Sequence, residues 1–259
     1  MLDKPAVTRA SLPNTLRHRT CDCLIRLGSA HDGGYLVAEA DLLRTDHLLS
    51  FGIGENWEFE QDFCQRNTVP VTAYDASVGP LDHCWRALDL VTRSLSLRRA
   101  TKSVRKCWDY RSFFQSHPHN RHISRHVGIG HQYLPMEAVL GETDAGSIFV
   151  KMDIEGSEYR CLEALIEDHG RISGAVIEFH DVDLHMALVD DFVRRFGLEL
   201  VHIHANNFAP LSDSGLPHVL ELTFSRHCEP QDRECVYPHP LDRPNSPAAS
   251  EIIISFAER

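Results

Sequence analysis

The stretch from Leu48 to Asp75 places small and acidic residues where a nucleoside cofactor would bind. An apolar run ends in Gly52-Ile53-Gly54, an amphipathic segment follows, and a second apolar run ends in Asp75, 21 residues after Gly54. This order predicts a strand, a tight turn, a helix and a second strand. Ligands of open parallel sheets bind beyond the carboxyl ends of the strands. The turn and Asp75 are therefore expected to face one crevice, unless this is an ordinary βαβ unit.

The residues around the turn favour a cationic cofactor over a dinucleotide. Dinucleotide folds use a third glycine and hold a pyrophosphate at the helix N-terminus. Here Trp57 takes the third position, and Glu55 and Glu58 would repel phosphates. S-adenosylmethionine has a ribose, an ammonium and a sulfonium but no phosphate, so it suits this turn, with Asp75 accepting the ribose hydroxyls. The predicted cofactor site comprises Phe51, Gly52, Gly54, Glu55, Asn56 and Asp75.

Polar residues mark three further strand ends. They are Asp153 and Glu155 at one, Glu178, His180 and Asp181 at the next, and His202, His204 and Asn206 at a third. Residues two apart in a strand share a face, and buried polar groups need partners. One shared site would therefore explain the polar residues at all three strand ends.

The predicted catalytic set at this shared site is Asp153, Glu155, His180 and His204. His180 or His204 would be the base, and Asp153 would orient the acceptor or bind a divalent metal. Whether a metal is needed stays open. The alternative for each histidine is a structural role, in which hydrogen bonds hold the ring. The alternative for Glu155 is to favour the start of its helix through the helix dipole.

The pattern of elements predicts an α/β fold with a doubly wound, mainly parallel, Rossmann-like sheet of seven strands. After the first strand, the predicted strands are Val71 to Tyr74, His126 to Gly130, Ser147 to Asp153, Gly174 to His180, Leu198 to Ala205 and Val219 to Ser225, the last two forming a hairpin. Asp183 is expected to cap the helix after the fifth strand.

The regions outside this sheet have weaker patterns. Residues 1–22 are predicted to be a flexible lead-in, and residues 23–259 a single domain. Asp32-Gly33-Gly34-Tyr35 predicts an N-terminal hairpin, which is also placed to cover the cofactor. The tail from His227 to Ser250 is expected to be irregular, and Glu251 to Phe256 to form an edge strand.

Composition narrows the class of protein. The chain has 259 residues and a formal charge of -11, which argues against a nucleic-acid backbone as main partner. It has no apolar run of membrane-spanning length, and its N-terminus lacks the apolar core of a signal peptide, which together predict a cytoplasmic location. The eight cysteines include no CxxC pair, so most are expected to be reduced.

A basic segment from Trp85 to Arg111 contrasts with the acidic whole. It has eight basic residues and two acidic ones, a local charge of +6. A solvated helix face is the usual explanation of such a run. The sharper alternative is a surface that receives a phosphate-bearing acceptor, such as a nucleotide sugar or a lipid-linked glycan.

Four motifs resemble the FkbM-type S-adenosylmethionine-dependent methyltransferases. They are Phe51-Gly52-Ile53-Gly54-Glu55-Asn56 with Asp75, Lys151-Met152-Asp153-Ile154-Glu155-Gly156-Ser157-Glu158, Ile177-Glu178-Phe179-His180, and His204-Ala205-Asn206-Asn207. The resemblance extends roughly from Arg26 to residue 245. It implies a class I methyltransferase fold and, for many members, O-methylation of sugars or natural-product hydroxyls.

Three functions are compatible with the sequence. The first is O-methylation of a hydroxyl on a saccharide, glycan precursor or natural product. The second is methylation of RNA or of a protein side chain, which the charge of -11 disfavours for RNA and the basic segment leaves open. The third is a cofactor-binding or glycan-binding protein of the same fold that no longer catalyses, which the strand-end acids and histidines oppose.

Overall fold

The computed structural model describes residues 8–79, 97–115, 117–229, 231 and 233–257, with backbone alone at 97–100, 102 and 103. Its strands are β1 (Thr8–Leu12), β2 (Leu24–Gly28), β3 (Gly34–Ala38), β4 (His47–Phe51), β5 (Val71–Tyr74), β6 (Asn120–Ile123), β7 (Ile148–Met152), β8 (Ile172–Phe179), β9 (Glu199–Ala205), β10 (Leu220–Ser225) and β11 (Ile252–Phe256). Its α-helices are α1 (Glu39–Leu42), α2 (Glu58–Arg66), α3 (Leu97–Tyr110), α4 (Met136–Gly141), α5 (Leu162–Glu167) and α6 (Val182–Arg195).

The central sheet has seven strands in the order β6-β5-β4-β7-β8-β10-β9. All neighbours are parallel except those of β10, which runs antiparallel to both β8 and β9. The doubly wound, mainly parallel seven-stranded sheet predicted for a class I methyltransferase is therefore confirmed, and so is the late hairpin. From β4 the chain passes through α2 to β5 on one side, whereas β7 lies on the other side. The carboxyl ends of β4 and β7 thus form the switch point, where ligands of such sheets bind.

Both faces of the sheet are buried, which explains the continuous apolar runs of its central strands. Leu48 packs with Phe59 and Phe63 of α2 on one face. The next residue, Leu49, belongs to the core on the opposite face, which α5 and α6 cover. Because successive side chains of a strand point to opposite faces, the packing on both faces of the sheet fixes the carboxyl ends of β4 and β7 in place.

The N-terminal hairpin and the tail pack on one face of β8, β10 and β9. Strands β2 and β3 pair antiparallel around the Asp32-Gly33 turn, as predicted. Residues 226–251, where described, contain no regular strand or helix, only an isolated bridge between Thr20 and Gln231. The irregular tail is therefore confirmed over that part of the chain.

Four predictions about local structure are wrong. The third strand is Asn120–Ile123, and His126 to Gly130 forms a loop beyond it. The stretch 8–16, expected to be loose, contains β1 and a 3-10 turn with Ala10, Leu12 and Leu16 fully buried. Strand β11 pairs with β1 in a separate two-stranded sheet, not at the edge of the main one. Asp181, in the left-handed region at φ 49°, precedes α6, while Asp183 lies in its first turn.

The cysteines also depart from the prediction. Cys21 and Cys228 form a disulfide across 207 residues, and Cys107 is disulfide-bonded too. Cys23, Cys64, Cys161 and Cys235 are free. The expectation that most cysteines are reduced therefore holds for these four and is wrong for the other three. Residues 85–96 of the basic segment lie outside the described residues. Among the helices that are described, none is long and apolar enough to span a bilayer.

Candidate active site at the switch point

A cavity of about 360 Å³ opens at the carboxyl ends of β4, β5 and β7. This volume is within the range of small-molecule sites. The cavity is bounded by the turn after β4, by the Asp32-Gly33 turn of the hairpin and by the loop that follows β6. Its lining residues include Asp32, Gly33, Gly52, Gly54, Glu55, Asn56, Asp75, Ser77, Arg125, His126, Lys151, Asp153 and Glu155.

The glycine turn brings backbone, not side chains, to the cavity. Gly52 has φ 77° and Gly54 has φ 49°, a conformation that favours glycine. The Gly52 N–H donates to the Tyr74 carbonyl at 3.0 Å, and the Asp153 N–H donates to the Phe51 carbonyl at 2.9 Å. These bonds join the ends of β4, β5 and β7. A side chain added at Gly54 would meet no atom within 4 Å, so this part of the turn faces open space.

Asp75 lies beside the turn with both carboxylate oxygens held. Its Oδ2 accepts from the Gly54 N–H at 2.7 Å, and its Oδ1 accepts from the Ser77 N–H at 2.7 Å and the Ser77 hydroxyl at 2.6 Å. Burial raises the pKa of Asp75, but these hydrogen bonds outweigh it and leave the pKa lowered. A carboxylate has about four acceptor positions. Three are occupied, so Oδ2 retains one for a ligand hydroxyl.

The other predicted cofactor residues differ in their placement. The Glu55 side chain is half exposed, lines the cavity and pairs with Lys106 of α3 at 3.4 Å. The Asn56 side chain also lines it and accepts from the Glu58 N–H at 3.1 Å, which helps to start α2. The Phe51 ring is buried and stacks on Tyr74, so Phe51 contributes through its backbone.

The acids after β7, Asp153 and Glu155, line the cavity and meet His180, which does not line it. The His180 Nε2 lies 3.8 Å from Asp153 Oδ1 and 3.5 Å from Glu155 Oε2. Glu155 has φ 54°, which is uncommon for a residue with a side chain, and its side chain is 87% exposed. Such backbone strain clusters at functional sites. The structure therefore joins three of the four predicted catalytic residues.

Two buried groups orient this cluster from behind. Glu158, fully buried, accepts from the Ile154 N–H at 2.9 Å and lies 3.1 Å from His180 Nδ1. The Tyr35 hydroxyl lies 3.0 Å from Asp153 Oδ2 and 2.7 Å from Glu178 Oε2. Burial lowers the pKa of His180, but the hydrogen bond and charge of Glu158, with the charges of Glu178 and Asp153, raise it to about 9. His180 is therefore an imidazolium at neutral pH.

His204 is not part of this cluster and does not line the cavity. Its ring is 2% exposed and lies between Glu221, at 3.1 Å from Nδ1, and Glu251, at 3.3 Å from Nε2. Burial lowers the pKa of His204, and the two carboxylates raise it by more, so it ends well above its usual value. The imidazolium thus neutralises buried carboxylates of β10 and the tail.

The remaining strand-end polar residues hold the tail and the hairpin. Asn206 donates to Glu178 Oε1 at 3.0 Å, and Asn207 binds the backbone of Ser246 and Ala249. His202 lies 2.9 Å from Asp242 of the tail. Glu178, Glu221 and His204 are opposite one another across β8, β10 and β9. The shared face predicted from the alternation is real, but most of it is covered.

The cluster of Asp153, Glu155 and His180 has the donor atoms of a divalent-metal site. One atom from each residue lies within 4.8 Å of the others. Two carboxylate oxygens and one imidazole nitrogen suit ions such as Mn²⁺ or Zn²⁺. The contact of His180 Nδ1 with Glu158 is the arrangement that orients imidazole ligands of metals.

Several lining residues were missed by the sequence analysis. His126 falls in the loop that was predicted to be a strand, Arg125 directly precedes it, and Ser77 follows Asp75 without a recognisable pattern. Lys151 stood in a predicted strand. Its ammonium donates to the Gly52 carbonyl and lies 4.0 Å from Asp153. A signal existed for Asp32 and Gly33, because their hairpin turn was predicted to cover the cofactor.

The strand order and the cavity at its switch point define the class, a doubly wound fold with a small-molecule site. No protein-family model matches this sequence, and neither does any curated protein. Among solved structures, a precorrin-6y C5,15-methyltransferase from Geobacter metallireducens GS-15 has a TM-score of 0.38 and 12% identity over 73% of this chain and 85% of its own. TrmK of M. capricolum, in complex with S-adenosyl-homocysteine, has a TM-score of 0.38 and 13% identity over 76% of this chain and 69% of its own. The 23S rRNA methyltransferase ErmE has a TM-score of 0.39 and 13% identity over 74% of this chain and 65% of its own. The fold assignment rests on the strand order itself.

Proposed function

We propose that this protein is an S-adenosylmethionine-dependent O-methyltransferase of the FkbM type, with a hydroxyl of a saccharide, glycan precursor or natural product as acceptor. The charge of the cavity lining carries the proposal. Five acids, Asp32, Glu55, Asp75, Asp153 and Glu155, face two fixed cations, Arg125 and Lys151. This excess of negative charge favours a sulfonium and an ammonium and opposes a pyrophosphate.

The cofactor is expected to lie along the glycine turn. Gly54 offers backbone beside open space, and the remaining acceptor position of Asp75 suits a ribose hydroxyl. The methyl group would then point toward the ends of β4 and β7, where the Asp153 cluster lies. This orientation places the acceptor at the mouth of the cavity, between Asp153 and the hairpin turn.

Methyl transfer requires little of the protein beyond positioning and removal of a proton. The acceptor oxygen attacks the methyl carbon, the carbon–sulfur bond breaks, and its electron pair leaves with a neutral thioether. Because His180 already carries a proton at neutral pH, we assign the role of proton acceptor to Asp153. Glu155, His180 and Tyr35 then orient Asp153. A divalent ion bound by Asp153, Glu155 and His180 would instead activate the hydroxyl directly.

Residues of the cavity lining support the proposed acceptor class. Asp32, Asp153 and Glu155 accept hydrogen bonds, and Arg125 and His126 donate them, a mixture that suits a polyhydroxyl compound. An RNA backbone would meet acids here, and phosphates repel carboxylates. The paired Glu55 and Lys106 show that at least part of the basic segment adjoins the site, which keeps a phosphate-bearing sugar within the proposal.

Calorimetric titration tests the cofactor, and a methyl-release assay tests the acceptor. We expect S-adenosylmethionine to bind with micromolar affinity and NAD not to bind, with and without a divalent ion. Sugar nucleotides, free glycans and a transfer RNA pool are then compared as acceptors in the presence of S-adenosylmethionine. Tight NAD binding would contradict the cofactor assignment, and methylation of RNA alone would contradict the acceptor class.

A further inference from the structure

Three cysteine sulfurs meet at a point remote from the cavity, in a cluster of Cys21, Cys23 and Cys228. Cys21 and Cys228 form the disulfide described above, and the Cys23 sulfur lies 3.3 Å from that of Cys21 and 3.4 Å from that of Cys228. A disulfide uses only two of the three sulfurs. If the disulfide were only a structural cross-link, a small apolar residue would serve as well as Cys23 at this position.

The surroundings of the cluster are apolar and partly closed. Cys21 and Cys228 are 3% and 7% exposed, and the neighbouring side chains are Leu24, Leu36, Ala38 and Val201. Cys23 is half-buried, so the cluster can be reached from its side. Three thiolates in this place would need a cation to compensate their charge.

We propose that the reduced form of this cluster is a zinc site, with the Cys21, Cys23 and Cys228 sulfurs as its three protein ligands. In a tetrahedral zinc site with Zn–S bonds of about 2.3 Å, the sulfurs lie about 3.8 Å apart. Cys23 is within about 0.5 Å of that spacing from each partner. Three ligands leave the fourth position to water or to an added thiol, as in zinc sites that keep an open position.

The chemistry of loading balances as follows. A dithiol reductant gives two electrons and two protons to the Cys21–Cys228 disulfide and becomes a disulfide itself. The three thiols then bind Zn²⁺ and release three protons, because a coordinating thiol is deprotonated. The disulfide is thus the metal-free, oxidised form of the same site, and zinc and the cross-link exclude each other.

The location gives the site a structural consequence. Around the cluster, the N-terminal segment and the tail are joined by the Gln231 N–H to Thr20 carbonyl bond at 2.8 Å and by the ion pair of Arg233 with Asp22. Farther along the tail, Asp242 and Glu251 bind His202 and His204 of β9. Either zinc or the disulfide would therefore anchor the start of the tail to the N-terminal hairpin.

Metal content tests the proposal independently of any methyltransferase activity. The full chain is purified with a reductant and without a chelator, and its zinc is measured by mass spectrometry. We expect the wild type and Cys64→Ala, a matched control on α2, each to hold about one zinc ion per chain more than Cys23→Ala. Cys23→Ala should weaken zinc binding at least about tenfold. Circular dichroism of both proteins in the same reducing buffer verifies that Cys23→Ala is folded like the wild type.

A cobalt titration identifies the ligands directly. Reduced, metal-free wild type should show thiolate-to-cobalt charge-transfer absorption, and Cys23→Ala should lose most of it. Equal zinc in the wild type and Cys23→Ala would mean adventitious binding and would overturn the proposal. A reduced wild type without zinc and without the cobalt absorption would overturn it as well.

Discussion

A Cβ atom placed on Gly52 would lie 1.6 Å from the carbonyl oxygen of Asp153. The ends of β4 and β7 thus approach so closely that a side chain at Gly52 cannot be accommodated. This contact fixes the distance between the cofactor turn and the acid proposed as proton acceptor. It also explains why the first glycine of the turn is needed even before a ligand binds.

Gly52→Ala and Gly54→Ala should therefore have different effects. The first collides with backbone at φ 77° and should lower the free energy of unfolding by about 2 kcal/mol or more. The second meets no atom within 4 Å and adds only the strain of φ 49°, roughly 1 kcal/mol. It should still weaken S-adenosylmethionine binding at least about tenfold, because it fills the space assigned to the ligand. Urea unfolding measures the loss of stability in each variant, and calorimetry measures the loss of cofactor affinity. Equal losses of stability would contradict the geometry.

Asp75→Asn should weaken cofactor binding while leaving the fold intact. The substitution removes a charge-assisted hydrogen bond to the ribose, worth about 1.5–3 kcal/mol, or roughly tenfold to a hundredfold in affinity. Ser77→Ala is the matched control, since it removes one donor to Oδ1 and leaves the acceptor position on Oδ2. Calorimetric titration measures both. An unchanged affinity in Asp75→Asn would place the ribose elsewhere.

Asp153→Asn should lower turnover far more than it lowers cofactor affinity. Loss of a general base typically costs about 10²–10⁴-fold in rate, whereas Asp153 makes no predicted contact to the ribose. Asp183→Asn, on α6 and outside the cavity lining, is the control. Single-turnover methyl transfer at saturating cofactor gives the comparison. Turnover within a few-fold of wild type would show that another group accepts the proton.

Much of this site could be predicted from the sequence, because its residues stand at strand ends. Strand β5 was predicted to the residue, and the apolar runs of β4 and β7 located Gly52 and Asp153. The third strand was missed because Asn120–Ile123 is a polar edge strand, whose ladder is satisfied on one side only. The apolar alternation on which the prediction relied is absent there.

The role of His204 shows the limit of periodicity. Alternation grouped Glu178 with His180, and His204 with His202 and Asn206, but it cannot show what covers these residues. The cover consists of the hairpin residue Tyr35 and of tail residues up to Glu251, which is 47 residues from His204 in the chain. Long-range partners of this kind decide whether a strand-end histidine is free to react or is buried in an ion pair.

His204→Gln should accordingly destabilise the protein and not impair chemistry directly. Removing the imidazolium leaves the buried carboxylate of Glu221 and the half-buried one of Glu251 without their shared cation, at a cost of about 3–5 kcal/mol. In the fraction that stays folded, cofactor affinity and turnover should match wild type. Glu251→Gln, which removes only the more exposed carboxylate, should be milder. Normal stability with lost turnover would instead place His204 in the reaction.

Asp41 should make stability depend on pH in a predictable direction. Asp41 is fully buried in the helix α1, and its Oδ1 accepts from the backbone N–H groups of Arg226 and His227. Burial raises the pKa of Asp41 to about 6, even though its hydrogen bonds with Ser225, His227 and Arg226 lower it. Because the pKa is higher in the folded state than the usual 3.8, folding favours the protonated form. The resulting stabilisation is complete below about pH 4 and is lost as the pH rises toward about 6, by roughly 3 kcal/mol.

Asp41→Asn removes this titration and gives the test. Relative to wild type, the variant should gain about 3 kcal/mol between pH 4 and pH 7.5, as measured by urea unfolding at each pH. Asp191→Asn, on the exposed side of α6 and paired with Arg195, controls for general effects of charge and should show no comparable gain. A stability difference between wild type and Asp41→Asn that stays constant over this range would mean that folding does not raise the pKa of Asp41. The hydrogen bonds from Ser225, Arg226 and His227 would then offset the effect of its burial.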